Sequence, residues 1–508
     1  MRWGIFTLLF CWHVASGQDA LSSRWELPTG DSVEVAGERM PVMVWPRALV
    51  DSENDWSASI EPRVAWRDVP EAGAVNAPRG GWVGGLRWAR HAGRWDFDFQ
   101  GSHTRVGGAA FDLWDEAWLT GGASGAGRAS TPDPNTVHLL RLWAEARFRL
   151  SPSMELALAN TPMHWGAGWR SLWIDRQAGP MPHLTFHADG GRVRYTKVLG
   201  LASVWGHGTM PLTDPNLPLP APGRYRSWEP TWMAAQLVEV DLGRGFHGAL
   251  FGAVKWLHRD TAHAQRFEWA YALPMVSFRP TEYMLGSADN ALVGLSGGWR
   301  AARRAFGVEG AVVFDEFVRD EMFSDRQWWA NKWGAQLTLR GATRDDRWTW
   351  LAEVVAVRPF TYGHAGPGTA WVTGNAPLAH PAGANFIEQR AHLRFRHEHW
   401  RVTLGGFYRR QGVDVDLPSY SFDAPETTTG ANPLVSYGAR PADYGIGWLT
   451  TGQDGALERG LHVWSSVSRN LPRLPGNAAF ARVILLPDGS KRFEIGLTTR
   501  RVWEERIW

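Results

Sequence analysis

Over residues 140–150 the chain alternates almost without a break. Leu140, Leu142, Ala144, Ala146, Phe148 and Leu150 stand against Arg141, Glu145, Arg147 and Arg149. A period of two places the apolar set on one face of an extended strand and the charges on the other. Wound at 3.6 residues per turn, the same residues would smear their charges around a cylinder. The pattern recurs. Trp95, Phe97 and Phe99 oppose Asp96, Asp98 and Gln100; Val238, Val240 and Leu242 oppose Glu239 and Asp241. Phe306, Val308, Val312 and Phe314 oppose Glu309 and Asp315, and Trp333, Ala335, Leu337 and Leu339 oppose Gln336, Thr338 and Arg340. Further strands follow around residues 393–396, 400–409 and 493–497. Trp82, Gly84, Leu86 and Trp88 form a less regular one.

A soluble sandwich also alternates, but hides its apolar face against a second sheet. Here the alternate faces are rich in charge and the strands run to about ten residues, the length a tilted strand needs to cross a bilayer. The expected fold is all-β: a transmembrane antiparallel β-barrel with an oily outside and a polar lumen. Closure is required, because an open edge in hydrocarbon leaves amides unsatisfied. Strands and connections of typical length give on the order of 16–20 strands.

Composition agrees. There are 32 Trp and 56 Gly but one Cys, and 44% of residues are hydrophobic. That much aromatic surface excludes a disordered chain. Beyond the first twenty positions no apolar run approaches the roughly 18 residues of a spanning helix. Lys+Arg 53 against Asp+Glu 51 leaves a net charge of +2, a balance that argues against a nucleic-acid partner. Only Lys197, Lys255, Lys332 and Lys491 are lysines.

The first 17 residues read as a signal peptide: Arg2, an apolar stretch over residues 4–15, and Ala15-Ser16-Gly17 as a small-x-small cleavage site. Cys11 falls inside it, so the expected mature chain, from Gln18, has no cysteine and no disulfide. Residues 18–80, weakly periodic and broken by Pro28, Pro41, Pro46, Pro62 and Pro70, read as a periplasmic lead-in or plug segment, with residues 59–63 as a candidate opening strand. Residues 81–508 read as the barrel. Pro/Gly-rich segments at 121–136, 211–230, 364–385 and 412–445 are expected extracellular loops, of a length that is usually functional, folded inward or disordered.

Catalytic and metal motifs are weak. Gly294-Leu295-Ser296-Gly297-Gly298 fits a nucleophile-elbow pattern, but that elbow needs a strand, a sharp turn and a helix, and residues 292–299 read as strand alone. His397-Glu398-His399 lacks the i, i+4 spacing of a zinc helix and reads as a hairpin turn. Asp315-Glu316 with Asp320-Glu321 invites a glycosidase reading, yet adjacent residues on a strand face opposite ways, so Asp315 and Glu316 are not expected to serve together. No catalytic residue, metal or cofactor is expected. Most tryptophans suit the interfacial girdles of a barrel. Trp165 and Trp169, set among glycines, and Trp328-Trp329 are the better candidates for stacking on sugar rings. The arginines at 141, 147, 149, 394, 396 and 401 either attract an acidic polymer or pair with carboxylates in the lumen.

Several motifs are similar to one family. Trp165-Gly166-Ala167-Gly168-Trp169 followed by Ala178-Gly179-Pro180-Met181-Pro182 resembles the W-G-x-G stretch of the Wzi-type capsule-assembly family, and Ser287-Ala288-Asp289-Asn290 resembles its S-x-D-N segment. Asp315-Glu316-Phe317, residues 328–334 (WWANKWG), residues 358–362 (RPFTY) and residues 377–386 (PLAHPAGANF) resemble the Wzi-like or RemB-like Bacteroidetes branch, named after a gliding-motility protein. The resemblance covers roughly residues 140–410. It implies a partly plugged outer-membrane barrel of about 18 strands, without known enzymatic activity, that holds capsular polysaccharide or serves surface motility.

The expected function is therefore retention or organisation of surface polysaccharide in the outer membrane. The alternatives are a motility or secretion barrel acting through protein partners, and a passive porin. The expected partners are membrane lipid and polysaccharide. The residues expected to bind sugar or to tie long loops to the rim are Trp165, Trp169, Asp289, Asn290, Asp315, Trp328, Trp329, Asn331, Lys332, His380 and Asn385.

Overall fold

The computed structural model describes residues 54–499, with breaks chiefly at 69–78, 108–121, 208–225, 259–266, 415–426 and 472–476 and shorter gaps in other loops. Twenty strands make one sheet. Gly122–Ala123 and Gly127–Asp133 form a small hairpin against Thr136–Ser151, and the other eighteen form a wall. Every wall strand pairs antiparallel with its neighbours. Lys491–Thr499 closes on Asn54–Asp68, from Arg63↔Gly496 to Asp68↔Lys491. Closure leaves no row of unpaired amides, the condition for crossing a bilayer with strands. No helix among the described residues is long and apolar enough to cross a membrane.

The opening strand corrects the expected domain boundary. Asn54–Asp68 pairs with both Arg79–Ala92 and Lys491–Thr499, so the barrel begins inside the segment assigned to a lead-in. Its Pro62 hides the alternation: proline reads as a breaker, yet here it lies opposite Trp82 in the ladder. The expected signal peptide and residues 18–53 lie outside the described residues.

The two ends differ. At one, strands turn within a few residues, as at Gly93, Gly191, Gly243 and His397-Glu398-His399, where Glu398 takes the expected hairpin φ of +49°. At the other, connections are long, the arrangement of outer-membrane-type barrels with short periplasmic turns and long extracellular loops.

Alternation sorts the wall as expected. Leu158, Leu242, Leu295, Leu404 and Leu461 are exposed on the outside, where hydrocarbon replaces water. Their alternates face inward and pair. Arg147 meets Glu145, Arg149 meets Asp96 at 2.7 Å, Arg194 meets Glu239 at 3.2 Å, and Arg390 meets Glu388 at 2.9 Å. The pairing alternative for the luminal arginines is thus realised at Arg147 and Arg149. The interior is not polar throughout, however. Met163, Trp165, Leu172, Trp173, Ile174, Phe251, Tyr362, Trp371 and Leu378 form one buried apolar cluster with inward wall residues such as Met233, Val313 and Val357. Polar lumen was the wrong expectation at this level, because long loops fold back and need an apolar surface to pack on.

Candidate functional site

Three long connections, at residues 162–180, 358–385 and 427–450, build the interior and the crown above it. The first is held in shape by Asp175. Its carboxylate accepts from the Ser171 amide at 2.7 Å and the Gln177 amide at 2.9 Å, capping the short turn Arg176–Ala178. From there the loop reaches the opposite wall. The Trp169 amide donates to Glu353 Oε2 at 2.8 Å, Gln336 Nε2 donates to the Arg170 carbonyl at 2.7 Å, and Trp173 Nε1 donates to the Val312 carbonyl at 3.1 Å. Trp173 stacks on Phe251, centroids 5.2 Å apart and planes 2° off parallel. Two glycines make this passage possible. A Cβ on Gly168 would strike the Gln336 amide, and one on Gly294 would strike the Trp173 indole. The glycine that suggested a nucleophile elbow is therefore a packing glycine. Its neighbour Ser296 points inward from mid-strand with its hydroxyl hydrogen-bonded to nothing among the described residues.

The second connection lies on the first. Tyr362 Oη donates to the Leu172 carbonyl, and Trp371 Nε1 donates to the Trp173 carbonyl, each at 2.8 Å. Phe360 and Tyr362 both take positive φ, +64° and +71°, costly for bulky residues and maintained by these contacts. Two buried lysines fix the same loop to the wall. Lys255 Nζ donates to the carbonyls of Ala370 and Val372 at 2.8 and 2.7 Å, and Lys332 Nζ donates to that of Gly363 at 2.9 Å. An ammonium head on a flexible stem suits convergent carbonyls better than a planar guanidinium.

Asp315 and Glu316 correct a second expectation. The ladder slips between Phe314 and Glu316, opposite Trp333 and Lys332. This bulge breaks the strict alternation. Lys332 Nζ consequently lies 3.3 Å from Asp315 and 3.1 Å from Glu316. Asp315 Oδ2 also accepts from the Tyr362 amide at 2.8 Å. The two neighbours share one partner, and that partner is a cation holding a loop.

Most of the expected binding residues are buried and tie loops. Trp165, 1% exposed, packs edge-on against Phe251 and has no free face for a sugar. Asp289 accepts from Tyr271 Oη at 3.0 Å, Asn290 lies opposite Lys255 in the ladder, and Asn331 Oδ1 accepts from the Val318 amide at 3.2 Å. Asn385, at φ +56°, donates to the carbonyls of Gly412, Thr429 and Thr450, joining the second and third connections. His380 packs on Phe386 at 4.5 Å, and its Nδ1 accepts from the Ala382 amide at 3.2 Å. Trp169 is half-buried beside His392 inside the barrel, 5.0 Å between ring centroids.

Only Trp328 and Trp329 remain partly open at the long-loop end, and there the third connection adds two residues that sequence reading missed. Tyr437 sits 5.0 Å from Trp329, and the Arg440 guanidinium lies 4.5 Å over the same indole. Tyr437 is anchored by its amide to the His364 carbonyl at 3.3 Å, and Glu316 stands below, part-exposed and paired with Lys332. Aromatic faces, a guanidinium and a carboxylate at one rim can stack on a sugar ring and hydrogen-bond its substituents. Nothing local in the sequence marks Tyr437 or Arg440, which reach Trp329 from over a hundred residues away.

The loop histidines give the plug a pH dependence. Burial, then Arg176, lowers His164 to about 3; burial, then Lys332, lowers His364 to about 4. An unfolded histidine titrates near 6.5. The unfolded chain therefore binds protons that the folded plug does not, and stability present above that value is lost as pH falls from about 6.5 toward 4. The urea midpoint of the folded barrel should drop across this window, with His364→Gln flattening part of the drop. A midpoint independent of pH there would remove the histidines from the account.

No family model matches this sequence, and no curated protein matches it. Among solved structures the chain is similar to Wzi, an outer-membrane protein involved in group 1 capsule assembly in Escherichia coli and described as a carbohydrate-binding β-barrel. The identity is 10%, the TM-score 0.49, and 86% of this chain and 84% of that one are covered. It is also similar to the outer-membrane protein OpdK of Pseudomonas aeruginosa, at 6% identity and TM-score 0.43 over 88% and 98% of the two chains. OccAB3 of Acinetobacter baumannii gives 8% identity and TM-score 0.43 over 87% and 98%.

Proposed function

We propose that this protein is an outer-membrane barrel that binds surface polysaccharide at its long-loop end, by contact and not by catalysis. The observation that carries the reading is the rim cluster, in which Trp329 lies against Tyr437 and under the Arg440 guanidinium. A second support is the interior, where loops from three hairpins pack together; an unobstructed diffusion pore has no use for them. Truncation of aromatic and arginine anchors typically costs about 1–2 kcal/mol each at an interface. Trp329→Ala with Arg440→Ala should therefore weaken binding of the host's purified polysaccharide by at least about tenfold, with the barrel still resisting unfolding in cold SDS. In cells, deletion of the gene should move polysaccharide from the surface into the medium while total synthesis holds. An unchanged bound-to-shed ratio would sink the proposal.

One observation favours a porin instead. Inward polar pairs, the Arg194–Glu239 ion pair and the His247–Glu309 hydrogen bond among them, line the wall toward the short-turn end as they would a water-filled passage. Channel conductance of the unmodified barrel in planar bilayers, together with an unchanged bound-to-shed ratio, would establish that reading.

A further inference from the structure

One segment of the chain lies outside the barrel. Val198, Met233, Phe251, Ala253 and Leu292 face the interior cluster, so their strand neighbours Leu199, Trp232, Val254 and Ala291 face outward. Outward positions on this part of the wall should meet lipid. Yet Ala234, Val254, Trp256 and Ala291 are buried, under Tyr271 and Phe278, with Phe267 at the margin. Phe267 meets Trp232 edge-on at 4.9 Å, and Tyr271 meets Trp256 at 5.0 Å. These covering residues come from the connection between Phe246–Leu257 and Asn290–Arg300, which carries the short helices Trp269–Ala272 and Arg279–Leu285. The described residues of this connection lie over the outer surface of the wall.

It is pinned there by a wall lysine. Lys197 lies opposite Gln236 and Phe186 on the outward face. Its Nζ donates to the Tyr271 carbonyl at 2.8 Å and the Leu273 carbonyl at 3.2 Å, and sits 4.4 Å from the Phe278 ring centroid. Those carbonyls lie at the C-terminal end of the first short helix, where carbonyls point out of the helix, and a cation on the bare wall would face hydrocarbon. Each supplies what the other lacks. Tyr271 Oη on Asp289 and Arg279 on the Asp315 carbonyl, at 2.7 Å, complete the attachment.

The far side of the segment is apolar and uncovered. Trp269 is 76% exposed, Tyr283 78% and Met284 84%, with Leu273 and Leu285 beside them. On the same outward face of the wall, Leu184, Leu242, Phe246 and Leu295 are exposed. We infer that this face is covered by lipid of the outer leaflet: residues 267–274 and 278–285 are a membrane-seated flap, continuous with the barrel's own lipid belt. Irregular backbone is not tolerated within lipid hydrocarbon, so the flap belongs at the boundary of acyl chains and headgroups, the level that Trp and Tyr prefer.

Environment-sensitive labels on single cysteines test this in the full barrel, reconstituted in phosphatidylcholine vesicles from a Cys11→Ser background. The label sites are Met284→Cys in the flap, Leu295→Cys on the wall as the lipid-facing control, and Arg326→Cys in the crown as the aqueous control. Spin labels near the headgroup end of the acyl chain should quench the Met284→Cys label, and aqueous iodide should reach it several-fold less than the Arg326→Cys label. Iodide access equal to the Arg326 control would overturn the inference. So would protection from both quenchers, which would mean that protein covers the face. Adding Lys197→Met should bring the flap label within reach of iodide while the Leu295→Cys label stays lipid-quenched. A flap label that stays in lipid would overturn the lysine's role as the pin.

Discussion

Replacing Lys332 with Met is expected to lower the stability of the folded barrel by about 3–5 kcal/mol, the usual cost of removing one partner from a buried ion pair. Lys332 and Asp315 have side chains with no exposure to solvent, and Glu316 is the third member of the group. Without the ammonium, two carboxylates stand close together, Asp315 keeps only the Tyr362 amide, and the Gly363 carbonyl loses its donor. Loss of the cation should therefore also release residues 358–364 from the wall. Urea unfolding in detergent would register the first effect, and proteolysis within residues 358–385 the second. Adding Asp315→Asn to Lys332→Met should restore part of the loss, since it removes the stranded charge. A single variant that unfolds at the wild-type midpoint would mean that the cluster contributes nothing.

Trp173→Ala should be comparably costly and more informative about transport. Large-to-small changes at buried tryptophans cost about 3–5 kcal/mol. Trp173 is 1% exposed, stacked on Phe251, bonded to Val312, and its carbonyl carries the Trp371 indole. Its removal opens a cavity where the first two connections meet. The expected readouts are a lower unfolding midpoint and a single-channel conductance in planar bilayers above that of the unmodified protein. Conductance unchanged by Trp173→Ala would show that the interior cluster is not the barrier to ion flow.

How much of this was legible depends on which physical force sets each part. The wall was legible because lipid and lumen impose opposite demands on successive residues, and residues 95–100, 140–150 and 333–340 record them directly. The opening strand was legible only over residues 59–63, and its full extent, Asn54–Asp68, was not, because Pro62 interrupts the record. The bulge at Asp315 was missed because a one-residue slip leaves composition unchanged while reversing a face. Residues of the loops and of the strand ends that hold them were harder still. Trp165, Lys332, His380 and Asn385 stand out as polar or aromatic groups no lipid-facing strand requires, but whether such a group binds a ligand or a neighbouring loop depends on partners tens to hundreds of residues away. Trp165 and Trp329 look alike in sequence. One is sealed against Phe251; the other stays at the rim because Tyr437 and Arg440 leave it partly open.

The long reach of those partners bears on assembly. Trp371 meets Trp173 across 198 residues, Tyr362 meets Leu172 across 190, and Gln336 meets Arg170 across 166. The segments involved belong to different hairpins, and each must be carried across the bilayer before it can find the others. The apolar interior is thus unavailable as a folding nucleus in the periplasm. It is expected to condense late, after the wall between residues 181 and 357 has formed. Contacts of such sequence separation form slowly. Until they do, Trp173, Tyr362 and Trp371 are expected to stay uncovered, which makes this interval the one in which a slow folder is most open to proteases and to wrong partners.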